Sequence, residues 1–134
     1  MSLKYRAKVH LGIFSVKLLD SGPSYEVVLS KDGSTPRALM YGPHQTVDVL
    51  KKISNKHLKV DPDWLDTKLI GVINAKTNKG YELNIFYGVI IPSDIDLKCG
   101  KWVPIDEYLN PDKQFATKDN AYHYLIKNMS LIIH

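Results

Sequence analysis

The feature that most constrains the fold of this chain is an apolar residue at every second position from Tyr81 to Ile91. Successive side chains of a β-strand point to opposite faces, so the apolar positions of this stretch share one face. They are Tyr81, Leu83, Ile85, Tyr87, Val89 and Ile91. The segment Lys68 to Asn74 has strand character as well, and Asn78-Lys79-Gly80 between the two segments is a turn sequence. The pattern therefore predicts a β-hairpin with one face packed against a core.

A second long strand is predicted at the N-terminus, over residues 5–19. Its first part alternates apolar and polar residues, and from Phe14 to Leu19 both faces are apolar, which is typical of a strand entering a covered sheet. Asp20-Ser21-Gly22-Pro23 predicts a tight turn, after which Tyr25 to Leu29 forms the hairpin partner. Arg37 to Tyr41 is expected to form a short third strand.

One helix is predicted in the middle of the chain, after the break at Gly42-Pro43. Thr46 is a favourable N-cap, and Asp48 lies in the first turn, where a negative charge suits the helix dipole. Asp61-Pro62 is expected to end the helix. The apolar stripe of this helix is expected to consist of Val47, Leu50, Ile53 and Leu58.

The C-terminal part predicts a short strand over Lys101 to Val103, a helical turn over Ile105 to Leu109, and a final helix capped by Thr117. The apolar face of that helix is Ala121, Tyr122, Leu125, Ile126 and Met129. Strands interrupted by one central and one C-terminal helix indicate a mixed α/β (α+β) architecture, with a mixed sheet covered on both faces. The length of 134 residues fits a single domain over residues 1–134.

Charge and composition restrict the classes of partner. The net charge is +4, and of the 18 basic residues only Arg6 and Arg37 are arginines. Lysine acts as a point charge, whereas arginine is preferred for bidentate reading of bases, so an anionic partner is favoured over sequence-specific nucleic-acid recognition. The alternative to an anionic partner is that the basic residues form a surface that contacts only solvent. No apolar run approaches the length of about 20 residues that spans a bilayer, so no membrane partner is expected.

A single cysteine, Cys99, excludes an intramolecular disulfide and a cysteine-rich zinc site. A reducing cytoplasm is therefore the expected location. The sequence shows no evident histidine partner that could act as a base for Cys99. We therefore expect this thiol to be inert rather than a nucleophile.

The predicted order of elements resembles the Nudix fold, an α/β/α sandwich, over residues 5–130. Four features carry the resemblance. They are the opening hairpin around Asp20-Ser21-Gly22, the helix placed after Gly42, the long strand Tyr81 to Ile91 followed by Trp102-Val103-Pro104-Ile105-Asp106-Glu107-Tyr108-Leu109, and the amphipathic closing helix. The family's catalytic signature is G-x5-E-x7-R-E-U-x-E-E-x-G-U, in which U is a bulky aliphatic residue.

Placing the first glycine of that signature on Gly42 gives a partial match. Asp48 stands at the first glutamate, Lys56 at the arginine and Leu58 at the following aliphatic residue. The remaining positions depart from the pattern. His57 and Val60 stand at two of the glutamates and Asp61 at a third, while Asp63 replaces the second glycine and Trp64 the last aliphatic residue.

The loss of glutamates matters because the family holds magnesium ions against a diphosphate with the carboxylates of this helix. The chain contains only Glu26, Glu82 and Glu107, so none lies between residues 27 and 81. Magnesium prefers oxygen ligands, valine cannot ligate, and histidine suits zinc better. The resemblance therefore implies a Nudix-like domain with a degenerate motif, no catalytic residues and no bound metal cofactor.

The first functional hypothesis is a catalytically inactive binding domain for a nucleotide-like or phosphorylated ligand, or for a protein partner. The ligand-binding candidates are Lys52, Lys56, His57, Lys59, Trp64 and Glu82. Replacing carboxylates by His57 among lysines turns the local charge positive, which favours direct binding of a phosphate. Trp64 is a candidate for stacking on a base, and Glu82 for pointing into the ligand cleft. The alternatives are a solvated lysine face, core packing of Trp64 and a surface Glu82.

Two further hypotheses stay open. In the second, Asp48, Asp61, Asp63 and Glu82 rebuild a site for Mg²⁺ or Mn²⁺, and the chain hydrolyses nucleoside-diphosphate-linked substrates. In the third, the chain is an RNA-associated or assembly protein whose lysines follow a nucleic-acid backbone without sequence specificity, and its binding weakens steeply as salt rises. The oligomeric state does not follow from the sequence.

Overall fold

The fold is described from a computed structural model, which covers residues 5–41, 44–78, 80–109 and 121–133. The strands are β1 (Tyr5–Leu19), β2 (Gly22–Leu29), β3 (Arg37–Met40), β4 (Lys68–Thr77), β5 (Gly80–Ile90) and β6 (Lys101–Pro104). The helices are α1 (Thr46–His57), α2 (Ile105–Leu109), α3 (Ala121–Lys127) and α4 (Met129–Ile133), with a 3₁₀ turn at Pro62–Trp64. No helix within the described ranges is long and apolar enough to cross a membrane.

The six strands form one mixed sheet in the order β4-β5-β1-β2-β6, with β3 also paired to β1. Strand β1 runs parallel to β5 and antiparallel to β2 and β3. Where β2 separates from β1, the hydroxyl of Tyr122 takes the place of a strand hydrogen bond. It accepts from the Ile13 amide at 3.2 Å and donates to the Val28 carbonyl at 2.6 Å. The preceding part of β1 pairs with β3.

Both faces of the sheet are covered. On one face, α1 packs over an apolar cluster that includes Leu11, Ile53 and Ile85. On the other face, α2, α3 and α4 cover a cluster built around Phe14, and Tyr122 belongs to it. The mixed α/β sandwich with a central and a C-terminal helical layer is therefore confirmed, and so is the apolar face of β5.

Helix α1 differs in detail from the prediction. Gln45, not Thr46, occupies the N-cap position, and the Asp48 carboxylate accepts from the Gln45 amide at 3.3 Å. The helix ends at His57, four residues before Asp61. Val47 is half-exposed, and Val49 takes its place in the core, because Val49, Leu50 and Ile53 lie on the sheet side of the helix.

The closing helix is divided in two at Asn128. The Asn128 side chain donates to the Tyr124 carbonyl at 2.9 Å, and its backbone amide donates to the Leu125 carbonyl at 3.1 Å. That i→i−3 bond is of the 3₁₀ kind and interrupts the α-helical ladder. The predicted turn residues Gly42-Pro43 and Lys79 and the predicted cap Thr117 lie outside the described residues.

Candidate ligand-binding pocket

The C-terminal end of α1 is held in place by a short ladder with the loop that follows β5. The Lys98 amide donates to the His57 carbonyl at 2.8 Å, and the Lys59 amide donates to the Asp96 carbonyl at 3.0 Å. Leu58 and Leu97 form an antiparallel bridge between these two bonds. The ladder fixes the last turn of α1 against the segment that carries Cys99.

The loop after β2 forms the opposite wall. The Ser30 amide donates to the Ser34 carbonyl and the Gly33 amide donates to the Ser30 carbonyl, both at 2.9 Å. Gly33 adopts φ +87°, a left-handed conformation that favours glycine. Asp32 accepts from the Ser34 hydroxyl at 2.6 Å and from the Ser34 amide at 3.0 Å. These bonds, with a smaller contribution from the Arg37 charge, lower the pKa of Asp32 below its ordinary value.

Between the two walls lies an open cavity of about 390 Å³. It is lined by Ser30, Lys31, Asp32, Ser34, Arg37, Lys56, His57 and Cys99. Lys31, Arg37 and Lys56 supply positive charge, and Asp32 is the carboxylate among the lining residues. The cavity is therefore cationic on balance and carries serine hydroxyls close to the charges.

His57 is the most buried polar side chain of the cavity, at 2% exposure. Its Nδ1 lies 3.0 Å from the Ile53 carbonyl and its Nε2 lies 3.1 Å from the Ser30 hydroxyl. Burial lowers the pKa of His57, as does the neighbouring Lys56 charge to a smaller degree, while the bond to Ile53 opposes the shift. The imidazole is therefore neutral at pH 7. A carbonyl only accepts, so Nδ1 carries the proton and Nε2 accepts from Ser30.

The structure brings together two of the predicted ligand-binding residues, Lys56 and His57. Lys52 lies one turn earlier on α1 and lines a different groove, together with Tyr41 and His44. Lys59 is exposed beyond the end of α1, and only its backbone takes part in the ladder.

Trp64 does not pack in the core. Its side chain is 80% exposed, so the core-packing alternative is wrong. It borders an apolar groove of about 310 Å³ that also contains Val60 and Ile95. The two cavities flank the Leu58–Leu97 ladder: His57 and Cys99 line the basic one, and Val60 and Ile95 line the apolar one.

Glu82 lies on the other face of the sheet from α1. It shares the side of β5 on which Phe86 packs with the C-terminal helices, since the two residues are an even number of positions apart. Its carboxylate pairs with Lys8 at 3.4 Å. Glu82 therefore does not join the pocket at the end of α1.

The three aspartates of the alternative metal site do not form a cluster with other ligands. Asp48 is in the first turn of α1, and Asp61 and Asp63 follow the helix in the segment of the 3₁₀ turn. Asp61 accepts from the Asp63 amide at 3.0 Å, and Asp63 pairs with Lys51 at 3.4 Å. In the part of the chain that the structure describes, no group of three or more His, Cys, Asp or Glu side chains is arranged to hold a metal.

The pocket also contains residues that are not among the predicted ligand-binding candidates. Lys31 and Ser34 belong to the turn that ends β2, Arg37 begins β3, and Cys99 was expected to be inert. The signal available in the sequence was the turn Lys31-Asp32-Gly33-Ser34, which lies shortly before Arg37, one of the two arginines of the chain. The pairing of β2 and β3 with β1 is what brings this loop to the end of α1.

No protein-family model matches the chain, and no curated protein is similar to it in sequence. Comparison with solved structures shows the fold class: it is that of the Nudix/MutT proteins. The NUDIX domain of Shewanella oneidensis NrtR, solved with ADP ribose, has a TM-score of 0.65 and 12% identity, covering 95% of this chain and 87% of that one. A MutT/nudix family protein from Listeria innocua has a TM-score of 0.67 and 13% identity, covering 93% and 92%.

A third similar structure is the C-terminal domain of mouse MUTYH, solved in complex with human PCNA. Its TM-score is 0.62 at 12% identity, and the match covers 96% of this chain and 92% of that one. The TM-scores of 0.62–0.67 show a shared Nudix-like fold, and at 12–13% identity the likeness shows the fold alone.

Proposed function

We propose that this Nudix-like domain binds a phosphorylated, nucleotide-like ligand in the basic pocket and does not hydrolyse it. The observation that carries the proposal is the convergence of Lys31, Arg37 and Lys56 around one open cavity of about 390 Å³. These side chains come from three separate elements, the β2–β3 loop, β3 and α1. Their convergence is therefore a product of the fold rather than of local sequence.

The chemistry of the lining suits a phosphate group. Arg37 can donate two parallel hydrogen bonds to phosphate oxygens, and the lysines supply point charges that a phosphate neutralises. The Ser30 hydroxyl donates a hydrogen bond to His57 Nε2. It can rotate to donate to a ligand instead. Asp32 stays ionised and accepts two hydrogen bonds from Ser34 within the loop, and the three cations of the lining outnumber this one carboxylate.

The same residues argue against hydrolysis by the usual metal-assisted route. The position of one signature glutamate is taken by His57, whose two ring nitrogens are both engaged with the protein. Val60 has no ligating atom, and among the described residues the three aspartates belong to no group of ligands that could hold Mg²⁺. Attack by a metal-activated water therefore has no assembled centre among the described residues.

ADP-ribose is the appropriate first probe. The similar NUDIX domain of NrtR was solved with ADP ribose, and the similar MUTYH domain with a protein partner. The apolar groove beside Trp64 lies on the other side of the ladder from the basic cavity and presents an exposed indole. In our proposal the diphosphate occupies the basic cavity and the base stacks on Trp64.

The proposal is tested by titration calorimetry of ADP-ribose into the protein, once with EDTA and once with Mg²⁺. We expect the same affinity in both buffers, weaker binding of adenosine, and no release of AMP. Affinity that appears only with Mg²⁺, or AMP released at a rate that depends on the metal, would support the hydrolase hypothesis instead. Absence of binding in both buffers would contradict the proposal.

A further inference from the structure

The three outer strands of the sheet differ in how they are protected against strand pairing. Strands β3 and β6 have four residues each, and β6 ends in Pro104, which has no amide to donate. Short length, basic residues and proline are the usual means of blocking an edge. Strand β4 has ten residues, contains no proline, and pairs only with β5 in the described part of the chain.

Strand β4 also exposes apolar side chains. Leu69 is 56% exposed, Val72 51% and Ile73 40%. Helix α1 packs over β1 and β3, near the middle of the sheet, and Leu69 and Val72 stay half-exposed on the α1 side of β4. Ile73 pairs opposite Asn84 and lies on the other side of the strand. The pairing of β4 with β5 shifts between Leu69 and Gly71, and the regular segment after that shift carries Val72 and Ile73.

The charges of β4 decide which kind of strand can pair with it. Lys68 and Lys76 stand near its two ends, and the strand contains no carboxylate. Pairing with a second copy would bring four lysines together across one strand pair of a protein with a net charge of +4. Like charges on paired strands are destabilising, and lysine on an edge strand prevents self-association. An acidic strand would instead be attracted.

We propose that β4 is a docking edge for an extended acidic segment of a partner protein, which adds a strand to the sheet. The partner's backbone would use the outward amides and carbonyls of β4, its apolar side chains would cover Leu69, Val72 and Ile73, and its carboxylates would face Lys68 and Lys76. This edge lies outside the residues of the basic pocket, so the proposal does not depend on nucleotide binding.

The test uses a fluorescein-labelled ten-residue peptide in which valine and threonine alternate and glutamates stand near both ends. A basic peptide with lysines in place of the glutamates is its counterpart. We expect fluorescence anisotropy to show binding of the acidic peptide that weakens with salt, and at least tenfold weaker binding of the basic one. The double variant Lys68→Glu/Lys76→Glu should reverse this preference.

The matched control is Lys52→Glu/Lys101→Glu, which changes the net charge by the same amount beside β3 and on β6, away from β4. It should leave the preference for the acidic peptide in place, whereas Val72→Lys should weaken binding of both peptides. Equal binding of the two peptides, or loss of binding in the control as large as in the β4 variant, would overturn the proposal. A concentration-dependent dimer in sedimentation velocity that Val72→Lys abolishes would assign the edge to a second copy instead.

Discussion

The two ends of helix α1 differ in how the chain uses charge. At the C-terminal end, Lys56 meets Arg37 and Lys31 around one cavity, over a buried neutral His57. At the N-terminal end, Asp48 is used to hold the first turn by accepting from Gln45. The aspartates that follow α1 are likewise used locally, in the turn after the helix and in a pair with Lys51.

This comparison shows that residue type alone does not define a site. Each of the four acidic candidates for a metal site, Asp48, Asp61, Asp63 and Glu82, is engaged in a contact with the protein, and among the described residues they form no metal-binding cluster. The cations come from parts of the sequence that look unrelated, and the sheet brings them together. In this chain, which lacks the signature glutamates, the end of α1 instead lines a cavity with more cationic than acidic side chains, and this is the basis of our proposed anion site.

The largest expected effect comes from removing the converging cations. The double variant Arg37→Ala/Lys56→Ala should weaken ADP-ribose binding about a hundredfold, because hydrogen bonds to charged groups are each worth about 1.5–3 kcal/mol. Titration calorimetry measures this change. Lys52→Ala is the matched control, one turn away on the same helix, and should change the affinity less than about twofold. If both variants lost the same amount of ADP-ribose affinity, the cations around the cavity at the end of α1 would have no special role in binding.

The next effect concerns the buried imidazole. His57→Ala should lower the free energy of unfolding by about 2–3 kcal/mol, since it leaves a cavity and removes the partners of Ser30 and the Ile53 carbonyl. Urea denaturation followed by circular dichroism measures it, with the exposed Lys56→Ala as control. A loss below about 0.5 kcal/mol would mean that His57 does not hold the floor of the pocket.

The pH dependence of the free energy of unfolding tests whether the buried imidazole of His57 is neutral. Burial lowers the pKa of His57 in the folded state below its ordinary value of 6.5, so at acidic pH the unfolded chain binds the additional proton. His57 therefore contributes full stability above pH 6.5 and progressively less as the pH falls through its folded pKa. Unfolding free energies measured from pH 7.5 to pH 5.0 should fall more steeply for the natural chain than for His57→Gln. Parallel curves would contradict a neutral buried imidazole.

The smallest effect is expected at the separated carboxylates. Asp61→Ala should cost about 0.5–1 kcal/mol of stability, because it removes the side-chain acceptor of the Asp63 amide. It should leave ADP-ribose affinity unchanged with and without Mg²⁺. If the variant instead abolished a metal-dependent affinity or cleavage rate, the carboxylates would form a site together and the comparison would fail.

Much of the fold could be predicted because its signals are local. The alternation from Tyr81 to Ile91 and the long strand that begins at Tyr5 identify β5 and β1 directly, and both are confirmed. The helix N-cap was placed one residue late at Thr46, since Gln45 is a weaker capping residue and Asp48 supplies the bond instead. The break at Asn128 was missed because the apolar stripe continues across it.

The candidate site was predictable only in part. Lys56 and His57 were indicated by their places in a degenerate motif on one helix. Arg37 and Lys31 join them through long-range strand pairing, which a single sequence does not encode in any local pattern. Nearby charge and strand position alone predict Lys52 and Glu82 as ligand-binding residues. The helix turn and the face of the sheet place them elsewhere.

The most direct test of the central claim is an NMR titration of the ¹⁵N-labelled protein with ADP-ribose in EDTA. The account predicts that the amide signals of Ser34, Lys56, His57 and Cys99 shift together and saturate at one dissociation constant, while that of Asp48 stays in place. Subsequent Mg²⁺ should add no further shifts. Shifts confined to Asp48, Asp61 and Asp63, appearing only when Mg²⁺ is present, would contradict an anion pocket at the end of α1.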